Sequence, residues 1–244
     1  MNDMWPHFGF LFGIGVGLKK KFGTKFVCTG LGVTPLTCSE KSHNKNLQNL
    51  LQNCDMLGVR DPFGITELTA NSQCSPFQDL DDAFLGKVQL QETAISEPTL
   101  HVCTYDWILE SKPETLTKID ALAKDYKQIT IWECAPAFDK KAIQAISDLG
   151  HNSRVVRVDE LLKGLPFNEG DSIFTNRFHP ALQISRIGGN VITDFSGKYY
   201  SHKHRGIEVL GSRIGDKNNT FLKKRNSILT ELKLAQAEWI YSSL

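Results

Sequence analysis

Arg177 and His179 stand two positions apart in the stretch Thr175-Asn176-Arg177-Phe178-His179, between an apolar run and a helical pattern led by Pro180. A guanidinium presents a planar fork that matches a phosphate or a carboxylate. An imidazole can give or take a proton as a general acid or base. Together the two suit a substrate that is anionic and changes its protonation during reaction. Lys198, in the next polar segment, adds a further cation. The same residues also have a purely structural reading, in which Arg177 pairs with a nearby aspartate and His179 caps a helix.

The elements that must position these side chains follow from local pattern. Ser172-Ile173-Phe174-Thr175 is a short apolar run and reads as a buried strand. Pro180 opens an apolar-periodic segment that Gly188-Gly189 stops, so a helix over about 180–187 is expected. Val191-Ile192-Thr193 reads as the next strand, and Asp194 to Lys198 as a loop with Gly197 as its turn residue. Arg177 and His179 therefore fall where a strand hands over to a helix, with His179 at or next to the N-cap. The first N–H groups of a helix lack internal partners and carry the positive end of its dipole, which makes such a junction an anion site.

Strand and helix patterns alternate along much of the chain. Lys25–Leu31, the short run from Met56 ending in Arg60-Asp61, Leu100–Tyr105, Gln128–Cys134 and Val155–Val158 read as strands. Asn46–Cys54, Phe63–Ala70, Pro113–Tyr126 and Asp139–Leu149 carry helical spacing. This alternation implies parallel sheets with helical crossovers, in which ligands bind beyond the carboxyl ends of the strands. Arg60-Asp61 ends a strand and reads equally as a site element or as a structural ion pair. Phe8–Gly17 reads as a glycine-rich strand or loop entering the interior; its glycines lack the spacing of a dinucleotide fingerprint. Gln73–Leu85 is polar and turn-rich, and Gly86–Pro98 reads as a linker. Phe221–Tyr241 keeps apolar spacing at Phe221, Ile228, Leu232, Ala235 and Trp239 and is expected to pack as a long amphipathic helix, a membrane-surface helix being the alternative.

With 244 residues and a formal net charge of +1, the chain has material for one or two domains and no electrostatic case for nucleic acid or an anionic membrane as its main partner. Its six cysteines are never closer than ten positions apart, which argues against a zinc site and for a reduced, cytoplasmic protein. Cys28, Cys103 and Cys134 fall in expected strands and read as small buried hydrophobes. The apolar N-terminal run is short of the roughly 20 residues that span a bilayer, and its lysines follow it rather than precede it, unlike a signal peptide.

Five stretches resemble, in order, the polysaccharide pyruvyl transferase family. They are Phe26–Pro35 (FVCTGLGVTP), Val59-Arg60-Asp61 before a helix, the acidic segment Ser75–Phe84, the strand–Arg-x-His–helix element Thr175–Ala181, and Asp194–Lys198 leading to Leu210-Gly211. The resemblance covers roughly residues 8 to 215. It implies an α/β, GT-B-like architecture: two Rossmann-like domains with mostly parallel sheets facing across a cleft. The expected divisions are 1–97 as a partial, truncated N-terminal acceptor-side domain, 98–220 as the donor-side domain, and 221–244 as a C-terminal amphipathic helix. The family's opening strand, glycine-rich loop and helix have no counterpart before Phe8. The implied reaction moves a pyruvyl group from phosphoenolpyruvate to a saccharide of a cell-surface polysaccharide or exopolysaccharide, closing a ketal. His179 matches the family's catalytic histidine and Arg177 the arginine beside it; Lys198, Asn176, Thr175 and Arg60 are implied on the donor side. No step demands a metal or other cofactor, and the acceptor is a saccharide or lipid-linked oligosaccharide. Lys19-Lys20-Lys21 is compatible with peripheral association at the inner membrane face, and equally with a solvated charge run.

Two other readings compete. A glycosyltransferase of the same architecture would bind a nucleotide sugar and could recruit Glu133 and Trp132, although Trp132 at strand spacing suits a core. A truncated, non-catalytic remnant would bind a saccharide or a partner enzyme. No feature of the sequence specifies an oligomeric state.

Overall fold

The computed structural model describes residues 6–33, 48–49, 51–71, 75–92, 97–194, 197–210 and 220–243. Pro35, Cys38, Cys74 and Gly211 lie outside them. The chain divides into two units, one of residues 1–86, 196–206 and 228–244, the other of 87–195 and 207–227. The division precedes the expected linker's end because that segment already belongs to the second unit. There Leu165 donates to Gln89 O at 2.8 Å and Gln91 donates to Leu165 O at 3.0 Å.

The second unit is a five-stranded, wholly parallel sheet ordered β6-β5-β4-β7-β8. Its strands are β4 Thr99–Cys103, β5 Gln128–Trp132, β6 Ser153–Val156, β7 Ser172–Thr175 and β8 Asn190–Ile192. Every residue of β4 and β7 is buried, as strands covered on both faces must be. Helices α3 Asp106–Ser111, α4 Glu114–Ala123, α5 Pro136–Ser147, α6 Val158–Leu161 and α7 Phe178–Arg186 connect them. Ile119 and Ala123 of α4 and Ile146 of α5 pack on Leu100, Val102, Ile129, Ile131 and Phe174. The order reverses between β4 and β7, which lie side by side with Cys103 opposite Thr175. That is the topological switch point, where such sheets open a crevice beyond their carboxyl ends.

The first unit has a smaller parallel sheet ordered β1-β2-β3, of Val27–Leu31, Met56–Val59 and Phe77–Gln78. Phe8–Gly17, expected as strand or loop, lies inside helix α1, Pro6–Phe22. Its glycines misled a reading by pattern. Gly15 is where the helix meets the sheet, and a Cβ there would come within 2.4 Å of the Phe26 ring. Phe12 and Val16 are buried, Phe12 meeting Phe26 edge to face at 5.7 Å.

Helix α2, Pro62–Asn71, follows β2. Two further helices, α8 Gly197–Val209 and α9 Thr220–Ser242, contribute residues to both units, so 221–244 is not a segment of its own. In α9 the expected packing face is reversed: Ile228, Leu232 and Trp239 are exposed, while Leu229, Thr230 and Lys233 are buried. A lysine decided the face. Lys233 Nζ binds both carboxylate oxygens of Asp79 at 2.9 Å, Leu80 O at 3.0 Å and Asp82 Oδ1 at 2.9 Å. Burying that ammonium without such partners would be prohibitive, so its contacts outweigh the apolar stripe opposite. Among the described residues no helix is long and apolar enough to cross a membrane.

Candidate functional site

The switch point is built from residues that hold one another. Thr175 Oγ1 donates to Cys103 O at 2.8 Å and accepts from Arg177 N at 3.0 Å. Thr104 Oγ1 donates to Asn176 Oδ1 at 2.7 Å, and Asn176 Nδ2 donates to Asp194 O. Thr175 and Asn176 are both fully buried. These side chains therefore tie β7 to β4 and to the segment after β8. These hydrogen bonds run within the chain and shape the turn.

Arg177 is the N-cap of α7, two residues earlier than the expected start, and His179 is the second residue of the helix. The Arg177 guanidinium is buried, pairs with Asp139 Oδ1, and lies over the Tyr105 ring at 3.6 Å to its centroid. Asp139 Oδ2 also accepts from Cys134 N at 2.9 Å and Ala135 N at 2.8 Å at the start of α5. Burial pushes the Asp139 carboxyl up, against the pull of Ala135, Arg177 and Cys134. Each of these contacts donates to it, so we read Asp139 as a carboxylate. Burial opposes the charge of Arg177, but Cys103, Tyr105 and Asp139 outweigh it and raise the guanidinium's pKa. The structural ion pair foreseen for Arg177 thus exists. It leaves one group over: Arg177 Nε is buried and finds no hydrogen-bond partner. A buried N–H without a partner costs about 1–3 kcal/mol, and an acceptor from a bound molecule would remove that cost.

His179 is exposed and meets the Phe178 ring edge to face at 5.3 Å. It stands on the first turn of α7, where backbone N–H groups face outward. Arg60 and Lys198 fall in the other unit. Arg60 pairs with Asp81, a partner that the sequence reading of Arg60-Asp61 did not name. Lys198 is in the first turn of α8 rather than in a loop.

Sequence reasoning missed Asp139 and Tyr105 as partners of Arg177, and Cys134 as a neighbour. Cys103 Sγ and Cys134 Sγ approach to 3.4 Å beside the guanidinium. Parallel register brings them together: β4 and β5 end side by side, so residues 31 positions apart meet. No local spacing announces that.

Trp132, a candidate for stacking on a nucleotide, is core. It is 1% exposed and its Nε1–H donates to His101 Nδ1 at 2.9 Å. His101 Nε2–H in turn donates to Asp171 Oδ2 at 3.0 Å. Glu133 is buried and paired with Arg157. A cavity of about 720 Å³ also exists in this unit, lined by Tyr126, Ser172, Arg186 and Asn190 among others. It opens where β7 and β8 begin, the edge opposite the switch point, so the crevice at Arg177 is the stronger candidate. Among the described residues no group of three or more His, Cys, Asp or Glu could hold a metal ion.

No protein-family model and no curated protein matches the sequence. A solved structure does: a candidate UDP-N-acetylglucosamine 2-epimerase from Listeria monocytogenes, 16% identical, with a TM-score of 0.54 over 93% of this chain. The match spans 66% of that protein's length. The likeness is one of fold. This chain is α/β and GT-B-like, with two Rossmann-like units of parallel strands.

Proposed function

We propose that the chain transfers a pyruvyl group from phosphoenolpyruvate to a saccharide or lipid-linked oligosaccharide, as its resemblance to polysaccharide pyruvyl transferases implies. The observation that carries this reading is the unpartnered Nε–H of Arg177, held at the switch point beside the N-terminus of α7. Phosphoenolpyruvate has two anionic groups, and a fixed guanidinium with helix N–H groups is a fitting anchor for one of them. Asp139 and Tyr105 hold that guanidinium in a single orientation. His179, exposed two positions further on in the first turn of α7, would handle the protons. Protonation of the donor's methylene carbon builds positive charge at C2, and a sugar hydroxyl attacks there. A second hydroxyl then displaces phosphate and closes the ketal. General acid–base assistance of this kind contributes about 10²–10⁴-fold.

A nucleotide-sugar enzyme is the second reading, favoured by the name of the structural neighbour. The burial of Trp132 and the pairing of Glu133 weigh against the nucleotide site that the sequence offered.

Thermal unfolding with phosphoenolpyruvate or with UDP-N-acetylglucosamine separates the two. A ligand near 100 times its dissociation constant adds about 2.7 kcal/mol, which for this size raises the midpoint by about 5–10 °C. The proposal expects that rise with phosphoenolpyruvate, its loss in Arg177→Ala, and phosphate release on adding an acceptor. A rise with the nucleotide sugar alone would transfer the assignment to the second reading. Full turnover in His179→Ala would overturn the catalytic role of the histidine.

A further inference from the structure

We infer that α1 is a docking surface for an anionic lipid bilayer, on which it lies rather than inserts. This rests on the first unit alone and is independent of the reaction. The helix buries Phe12 and Val16 and presents the opposite face outward. Phe10, Leu11, Ile14, Leu18 and Phe22 are each between 43% and 69% exposed. At about 100° per residue these five positions occupy one arc of about 120°, running about 18 Å along the helix. Scattered exposed apolar residues need no explanation, but a continuous stripe on one helix marks an interaction surface.

Charge selects the occupant. From Pro6 to Lys25 the sequence has no acidic residue and four lysines, Lys19, Lys20, Lys21 and Lys25. Lys19 is tied to Asp55 at 2.8 Å, which fixes the end of the helix to the body of the unit. Lys20 and Lys21 are exposed, and Lys21 lies over the Phe22 ring at 5.1 Å. Lys21 shares the arc of the apolar stripe at its C-terminal end, as a side chain does whose stem lies in the apolar layer while its charge meets headgroups. The exposed stripe of α9 differs: Glu231 and Glu238 are exposed on the same helix, and they would oppose an anionic surface. With 17 residues α1 reaches only about 25 Å, short of a hydrocarbon core of about 30 Å.

The test is flotation of the purified full chain with vesicles of phosphatidylcholine alone or mixed with phosphatidylglycerol. Binding to the mixed vesicles is expected, weakening as salt rises. Lys20→Gln with Lys21→Gln should lower partitioning about 30-fold, equivalent to about 1 kcal/mol per lysine. Leu11→Ser with Leu18→Ser, at exposed positions that leave the midpoint of unfolding in place, should abolish it. Equal binding to neutral vesicles would overturn the inference, as would binding indifferent to both double variants. So would a concentration-dependent dimer that the serine variant dissolves while wild type ignores lipid, which would assign the stripe to a second copy.

Discussion

The two units end their sheets in opposite ways. In the first, the carboxyl ends of the strands carry Asp79, Asp81 and Asp82, and cations from elsewhere close them: Lys233 binds Asp79 and Asp82, and Arg60 binds Asp81. Lys233 shares the three protons of its ammonium among four oxygens of Asp79, Leu80 and Asp82, so that end is saturated. In the second unit the cation sits at the strand end and a helix brings the acid. Arg177 meets Asp139 and Tyr105, and still has one buried N–H without an acceptor. The same fold and the same type of ion pair thus yield a closed joint in one unit and a polarised, incompletely satisfied crevice in the other. Ion pairs at strand ends do not by themselves mark a site. What separates the two is the count of donors against acceptors.

Removing the central cation of each cluster should break this comparison in different ways. Lys233→Ala leaves the buried Asp79 carboxylate and the Leu80 carbonyl without their ammonium, and losing one partner of a buried ion pair costs about 3–5 kcal/mol. Arg177→Ala should cost less, about 1–3 kcal/mol, because Arg177 pairs with one carboxylate, Asp139, whereas Lys233 serves Asp79, Asp82 and the Leu80 carbonyl. Urea unfolding of both variants measures the order. The ligand response should show the reverse pattern, lost in Arg177→Ala and kept by whatever fraction of Lys233→Ala remains folded. Equal losses of stability with an unchanged ligand response would make Arg177 as structural as Lys233.

Much of the second unit was legible in its sequence. The apolar runs at Leu100, Gln128 and Ser172 became strands because buried parallel strands are continuous apolar runs. Pro180 and Gly188 correctly bracketed most of α7, although Phe178 and His179 are already helical. The first unit was less legible. In α1 glycine serves close packing on Phe26, and a reader of patterns takes it for a breaker. In α9 the apolar period named the wrong face, since burial was decided by one lysine and carboxylates about 150 residues away. The site divides likewise. Arg177 and His179 stand out by type and position, whereas Asp139, Tyr105 and Cys134 reach Arg177 only through strand order and register.

Mild acid probes the other end of the second unit. His101 is held neutral, accepting from Trp132 and donating to Asp171, and burial lowers its pKa against the pull of Asp171. Below the unfolded-state value of about 6.5 the unfolded chain binds a proton that the folded chain refuses. The contribution of His101 to stability is therefore complete above about pH 6.5 and is lost as pH falls, with a slope of at most about 1.4 kcal/mol per pH unit. Unfolding of wild type and His101→Gln between about pH 7 and 5 should show the slope reduced in the variant. An identical slope in both would mean that His101 is not the group that titrates.

The two thiol pairs give the finest comparison. Cys28 and Cys54 lie 3.8 Å apart in the first unit, Cys103 and Cys134 3.4 Å apart in the second. In each pair one thiol is lowered by the hydrogen bond from its partner: Cys54, with help from Lys19, and Cys134, with help from Arg177. Burial, chiefly, pushes Cys103 well up. Thiolate supply governs alkylation, so Cys54 should label before Cys28 and Cys134 before Cys103, as mass spectrometry of iodoacetamide-treated protein would resolve. Arg177→Met keeps the bulk over Tyr105 and removes the charge. It should slow Cys134 by a few-fold, in keeping with a modest loss of thiolate, and leave Cys54 untouched. If both cysteines slowed together, the variant would have loosened the whole chain. If neither did, the guanidinium would not project its field into the crevice, and the case for Arg177 as an anchor for anions would weaken with it.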